Sequence, residues 1–180
     1  FAAPVKNFDP ASFLSRRDLR RTDPLTQMAL YVVNQAMEDA KLTVTENGAE
    51  GVKADDIGVV VGTGIGGIQS LLAGMDIFMK KGHASVSPLL LPMMLPDSPA
   101  GKIAIEFGMK GPNMALSTAC ATGNNCIGEA YEIIRRGAAT VMVAGSSEAA
   151  LIPLAMASLS NMGAISSRND DPEGASRPFS

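Results

Sequence analysis

Apolar positions along the chain switch between helical and strand-like spacing. Leu25, Met28, Ala29, Val32, Val33, Ala36, Met37 and Ala40 recur at a period of about 3.6 behind Asp23-Pro24, a capping residue followed by a proline at the first helical position. They predict an amphipathic helix. A polar loop from Thr43 to Asp56, containing Asn47-Gly48 and Gly51, leads into Ile57-Gly58-Val59-Val60-Val61, a continuous apolar run suited to a strand buried on both faces. A further helix is expected from Ile68 to about Lys81, stopped by Lys80-Lys81-Gly82. The stretch from Leu89 to Leu95 is apolar and broken by proline, and Asp97 or Ser98 stands where it would cap a helix through Ala100, Ile103, Ala104 and Phe107. Met114-Ala115-Leu116 predicts a short strand, while Ile127, Ala130, Tyr131 and Ile134 recur at helical spacing up to Arg135-Arg136-Gly137. Thr140 to Ala144 predicts another buried strand, and Ala149 to Leu159 a helix or a pocket wall. Strands alternating with helices, without an internal repeat, imply an α/β layered domain.

Composition narrows this picture little. With 180 residues, 46% apolar and 18% charged, the chain can bury one sizeable core. A net charge of −3 and the lack of a basic stripe interleaved with aromatics argue against nucleic acid. Two cysteines and a single histidine supply neither a disulfide framework nor a zinc site, and a reducing compartment is expected. No run of about 18 uninterrupted apolar residues suggests a membrane span, and Phe1-Ala2-Ala3-Pro4 lacks the regions of a signal peptide. The 11 methionines read as adaptable core filling.

The candidate chemistry lies in Ser117-Thr118-Ala119-Cys120-Ala121-Thr122-Gly123, between the short strand and the helix that follows it. The unpaired N–H groups and dipole of a helix N-terminus favour negative charge, and hence the thiolate form of a cysteine placed there. Small neighbours would let a carbonyl approach the backbone, whose N–H groups are then available to an oxyanion. From position alone, Cys120 is either a nucleophile or a buried structural cysteine. Gly62, Gly64 and Gly67 spell G-x-G-x-x-G between a strand and a helix, but no second buried strand ending in an acidic residue follows. These glycines fit a tight turn beside a pocket better than a dinucleotide. His83, the only histidine, falls in a loop and reads as a surface residue rather than an activator of Cys120. Gly145-Ser146-Ser147-Glu148 is not a serine hydrolase elbow. Arg16, Arg17, Arg20 and Arg21 surround Asp18 in a local positive patch, which on charge alone reads as a solvated face.

Several of these segments together resemble the elongating β-ketoacyl-acyl-carrier-protein synthases. The resemblance rests on Ser117 to Gly123, Val141-Met142-Val143-Ala144-Gly145, Leu159, Ser166 to Pro172, Gly62 to Gly67, Val86-Ser87-Pro88, Gly111-Pro112-Asn113 and Ala175 to Phe179. It implies the thiolase-like α-β-α-β-α fold, of which residues 1–180 would form most of an N-terminal half. The first strand and the whole C-terminal half would then be absent. The implied activity is decarboxylative Claisen condensation in fatty acid elongation, with Cys120 taking an acyl group and malonyl-ACP supplying the carbanion. By the same resemblance Ile65 and Leu159 bind the acyl chain, Leu159 standing where many relatives carry a gating phenylalanine. Arg17, Arg20 and Arg21 match positions that receive acyl carrier protein. No metal or organic cofactor is expected, since substrates arrive on phosphopantetheine. The expected partners are acyl carrier protein and a second copy in a homodimer, without nucleic acid or membrane. The expected compartment is the bacterial cytoplasm or an organellar stroma or matrix. The family's two catalytic histidines would lie in the absent half, so condensation by these residues alone is not expected. Pro96-Asp97-Ser98-Pro99 departs from the family's less proline-rich helix start. A polyketide ketosynthase, a degradative thiolase or initiating synthase, and a non-catalytic structural or interaction fragment of the same fold are the alternatives.

Overall fold

A computed structural model describes residues 1–45, 48–49 and 51–179. Its helices are α1 (Arg16–Leu19), α2 (Pro24–Asp39), α3 (Ile68–Lys81), α4 (Leu90–Met94), α5 (Ser98–Phe107), α6 (Thr122–Arg135) and α7 (Pro153–Asn161). Its strands are β1 (Gly48–Ala49), β2 (Val52–Lys53), β3 (Ile57–Gly62), β4 (Asn113–Met114) and β5 (Val141–Ser146). The chain divides into two compact units, residues 9–149 and residues 1–8 with 150–179.

The larger unit is built on β3, every residue of which is buried. β3 lies between β4 and β5 and runs parallel to both, with Val59 opposite Asn113 and Val143. Side chains alternate across a strand, so β3 serves two layers. Ile57, Val59 and Val61 pack with Ala29, Leu30, Val33 and Met37 of α2 and Ala100 and Ile103 of α5. Val60 points the other way, onto Cys126 and Ile133 of α6. Each fully buried branched aliphatic side chain contributes about 1.5–3 kcal/mol, which makes this sandwich the main source of stability. β1 and β2 form only a two-residue antiparallel pair in the stretch expected to be loop, with Ala49 and Val52 packed on the same core, and Asn47 lies outside the described residues.

Local signals placed the helices well. Asp23 Oδ1 accepts from Leu25 N at 3.0 Å as the cap of α2, while its Oδ2 accepts from Ser70 N at 2.9 Å in the first turn of α3. One buried carboxylate therefore caps two helices. Pro92 is tolerated in α4 because it stands in the first turn, where a helix has no partner for the missing N–H. Asp97 is the N-cap residue of α5 but makes no side-chain capping bond, and the Ser98 hydroxyl donates to Pro92 O instead.

Other expectations are corrected. The strand expected over Met114 to Leu116 is only Asn113–Met114, since the next residues leave the ladder toward the turn that carries Cys120. β5 is a half-exposed edge rather than a buried strand, because among the described residues only β3 pairs with it. On α6, Ile127, Tyr131 and Ile134 are exposed, and the stripe facing the sheet is Thr122, Cys126, Ala130 and Ile133. On α2, Val32 is likewise exposed.

In the smaller unit α7 begins at Pro153, later than the apolar stretch suggested, and buries no residue. In the same unit the N-terminal ammonium donates to Asn169 Oδ1 at 3.1 Å, and Arg168 pairs with Asp171 at 3.5 Å.

Candidate functional site

Parallel pairing puts the C-terminal ends of β3, β4 and β5 on one edge, the position where α/β sheets gather ligand-binding loops. Three loops meet there. The turn after β3 is held against the loop after β4 by Thr63 N donating to Leu116 O at 3.3 Å and Ser117 Oγ donating to Gly64 O at 3.3 Å. It is held against the segment after β5 by Ser147 N donating to Gly62 O at 3.1 Å. Gly62 is required by this crowding: a Cβ there would stand 2.1 Å from Leu116 O.

Cys120 is exposed at this edge, in a single 3-10 turn, Ala119–Ala121, that runs into α6. Ala119 adopts φ +51°, the left-handed region that side-chain-bearing residues seldom occupy. The surroundings pin it: Thr122 Oγ1 donates to Ala119 O at 2.7 Å and accepts from Thr118 N at 2.9 Å. Asn125 Nδ2 then donates to Thr118 Oγ1 at 2.8 Å. Thr122 is buried, so the turn is stapled from inside and the thiol is left outside. Of the two cysteine readings left open by position, Cys120 is not the buried structural one. Cys126 is, with no exposed surface, and burial pushes its thiol above the ordinary range, partly offset by hydrogen bonds with the backbone of Leu116 and Gly62.

The glycine-rich turn is occupied by the chain itself. Glu148 Oε2 accepts from Gly64 N at 3.0 Å, Ile65 N at 3.1 Å and Thr63 Oγ1 at 3.1 Å. Such converging N–H groups form an anion-binding nest, and here a side-chain carboxylate fills it, which leaves no place for a dinucleotide phosphate. Ile65 is exposed on this turn and lines a cleft of about 90 Å³ with Gly67, Ile68, Leu71 and Met94. The structure thus brings Ile65 and Cys120 to one edge of the sheet.

The remaining expected residues are carried by other elements. Leu159 is on α7, in the smaller unit, with part of its side chain exposed. His83 is exposed in a 3-10 turn after α3. Arg17, Arg20 and Arg21 are exposed on and just after α1. Between them the Asp18 carboxyl is held below its ordinary range, first by the Ser15 hydroxyl that donates to it at 2.5 Å and then by the charges of Lys102, Arg17 and Arg21. Lys102, 3.8 Å from Asp18, extends the patch from α5 and had no signal of its own in the sequence. Arg21 and Lys102 line a cleft of about 320 Å³ whose wall includes Met93, Leu95 and Ile105. Thr122 stands in the motif around Cys120, but its bonds within the turn had no signal in the sequence, nor had Asn125; the only hint for Glu148 was an acidic residue just beyond an apolar run. Among the described residues no helix is long and apolar enough to cross a membrane, and no group of three or more His, Cys, Asp or Glu side chains is placed to hold a metal ion.

Comparison with known proteins agrees with this geometry. A protein named 3-oxoacyl-[acyl-carrier-protein] synthase 2 from Synechocystis sp. is 43% identical over 179 residues, which are 99% of this chain and 42% of that protein. One of the same name from Staphylococcus aureus is 43% identical over 178 residues, 43% of its length. The chain therefore spans about two fifths of these relatives. A crystal structure of a beta-ketoacyl synthase from Burkholderia phymatum superposes with a TM-score of 0.81 at 28% identity, over 99% of this chain and 42% of that one. A ketosynthase described in complex with a type II polyketide acyl-carrier protein shares the fold, with a TM-score of 0.77 at 23% identity over 89% of this chain and 44% of its own. These structures fit a thiolase-like fold of which this chain covers part. The family described as "Beta-ketoacyl synthase, N-terminal domain" matches residues 1–180, and the chain belongs to that family.

Proposed function

We propose that this chain carries the acyl-accepting part of a 3-oxoacyl-[acyl-carrier-protein] synthase of fatty acid elongation. The observation that carries the proposal is the exposed Cys120, held by a strained turn at the start of α6 on the edge where the three parallel strands end. Its sulfur attacks the carbonyl carbon of an acyl thioester, a tetrahedral oxyanion forms, and the carrier thiol leaves with a proton, so that the acyl group becomes a thioester of Cys120. Backbone N–H groups at the start of α6 are assigned to stabilise that oxyanion. Malonyl-ACP then loses carbon dioxide, and its carbanion attacks the acyl carbon and expels the Cys120 sulfur.

The second step needs groups that polarise the malonyl thioester. The one histidine of these 180 residues, His83, is exposed in its own turn, so that step is assigned to residues outside them. The reaction uses no metal or organic cofactor, its substrates being carried on phosphopantetheine. Ile65 and Leu159 are assigned to acyl-chain binding. Arg17, Arg20 and Arg21, extended by Lys102, are assigned to an acidic acyl carrier protein, whose approach a positive patch accelerates at low salt. The active form is taken to be a homodimer of the bacterial cytoplasm or an organellar stroma or matrix.

The test is to mix the full chain with an acyl carrier and follow its intact mass. Gain of one acyl group in wild type and none in Cys120→Ala is expected, and an acyl group retained by Cys120→Ala sinks the proposal. Reversing the charge of Arg17 and Arg20 should slow acylation from the carrier protein in a salt-dependent way, while a small soluble thioester reacts as before.

A further inference from the structure

Glu148 has no part in the chemistry described above, yet it is the most heavily bonded side chain at the site. A single oxygen takes the Thr63 hydroxyl and the Gly64 and Ile65 amides, and the other, Oε1, accepts from Ala149 N at 3.2 Å. The bond network spreads from there. Thr63 Oγ1 accepts in turn from Gly66 N at 3.1 Å, at a residue whose φ of +87° closes the turn. Gln69 Nε2 donates to Ala149 O at 2.8 Å, tying the first turn of α3 to the same segment. On the other side, the Gly64 carbonyl receives Ser117 Oγ, and the Gly64 backbone lies so near Ala119 that an added Cβ would be 3.5 Å from Ala119 Cα.

Three loops that share no sequence proximity therefore hang on one carboxylate. A nest of N–H groups ordinarily recruits an anion from outside; here the anion is built in, and it grips the amide of Ile65, whose side chain lines a cleft, next to Gly64, whose backbone adjoins the turn that carries Cys120. Hydrogen bonds to a charged acceptor are stronger than neutral ones, and a turn with this many of its donors on one oxygen is held in a single conformation.

We propose that Glu148 is the positioning residue of the site, fixing where Ile65 stands relative to Cys120 and thereby which acyl-chain lengths reach the nucleophile. This rests on the reading of Cys120 as acyl acceptor and of Ile65 as a residue that meets the acyl chain. Glu148 touches no acyl group itself. Without its carboxylate the Gly64 and Ile65 amides turn toward water, Ile65 samples positions across its cleft, and long chains lose a defined path while short ones, which do not extend that far, still reach the sulfur.

The test uses the full chain and single-turnover acylation by acetyl and dodecanoyl pantetheine thioesters, followed by intact mass. The readout is the ratio of dodecanoyl to acetyl rates, which a merely destabilised protein would leave unchanged because both substrates would slow together. Loss of charge-assisted bonds predicts that Glu148→Ala lowers this ratio about tenfold, and Glu148→Gln, which keeps the shape and one acceptor, about threefold. Thr63→Val, which removes one donor to the same oxygen, should move the ratio in the same direction by a smaller factor and serves if the Glu148 variants do not fold. A ratio unmoved in all three variants, or both rates falling in proportion, overturns the role of Glu148 while leaving Cys120 as acyl acceptor. Acylation that persists in Cys120→Ala overturns the reading beneath it instead.

Discussion

Cys120 and Cys126 stand six residues apart, just before one helix and within it, and the fold gives them opposite surroundings. Cys120 is outside, on a turn whose strained Ala119 is stapled by the buried Thr122. Cys126 has no exposed surface, is packed with Val60 and Ile133, and is pushed by burial toward the protonated thiol. A place near a helix start is not enough to expose a cysteine; what matters is that the turn before the helix bends the chain out of the sheet's shadow, whereas one turn and a half later the same helix faces the sheet. The two faces of α6 repeat the contrast, with Cys126, Ala130 and Ile133 against β3 while Ile127, Tyr131 and Ile134 are exposed.

The largest effect should come from removing each sulfur in turn. Cys120→Ala is expected to lower acylation at least about a thousandfold, as removal of a covalent nucleophile does, whereas Cys126→Ala should leave the rate within about threefold and cost about 1 kcal/mol through the small cavity it creates. Acylation kinetics and thermal melts of both variants decide this, and a Cys126→Ala enzyme as inactive as Cys120→Ala would erase the distinction.

Next comes the close backbone approach beside Cys126. Gly62→Ala would press a methyl onto Leu116 O, at 2.1 Å, where neither backbone can give way cheaply. A loss of about 3 kcal/mol is expected, at the upper end for point changes, together with faster alkylation of Cys126 as its cover shifts. Gly101→Ala, with open space around it in α5, should stabilise by about 0.5–1 kcal/mol in the same denaturant titration.

Native alkylation sharpens the contrast without mutation. Iodoacetamide should label Cys120 roughly a hundredfold faster than Cys126, which reacts only when its segment opens. Peptide mapping after timed quenching reads both sites, and equal rates would contradict the burial of Cys126.

The smallest effect is alkaline. The Cys126 thiol titrates higher in the folded chain than its ordinary value of 9.0, so above that value the unfolded chain loses this proton while the folded chain keeps it. The contribution is complete below the ordinary value and is lost as pH rises through the folded one, with a slope of at most about 1.4 kcal/mol per pH unit. Denaturant midpoints of wild type should therefore fall more steeply above pH 9.0 than those of Cys126→Ala; parallel curves would remove Cys126 as the cause.

What the sequence determined alone is what short-range physics decides. Asp23-Pro24 starts α2 because a carboxylate and a proline suit the first turn of any helix, and Ile57 to Val61 reads as a buried strand because five apolar positions in a row cannot face water. The motif around Cys120 lies within seven consecutive residues, Ser117 to Gly123, and so was legible together with its place at a helix start. Tertiary structure decided the rest. Helical spacing on α6 marks an apolar stripe but not which stripe meets the sheet, and the answer turned on the small side chains of Thr122, Cys126 and Ala130, which let the helix approach β3. Nothing near Glu148 in sequence foretells its bonds to Thr63, Gly64 and Ile65, more than 80 positions away. They exist because parallel pairing of β3 with β5 delivers both strand ends to one edge, where turn amides facing inward must find an acceptor and a carboxylate is within reach.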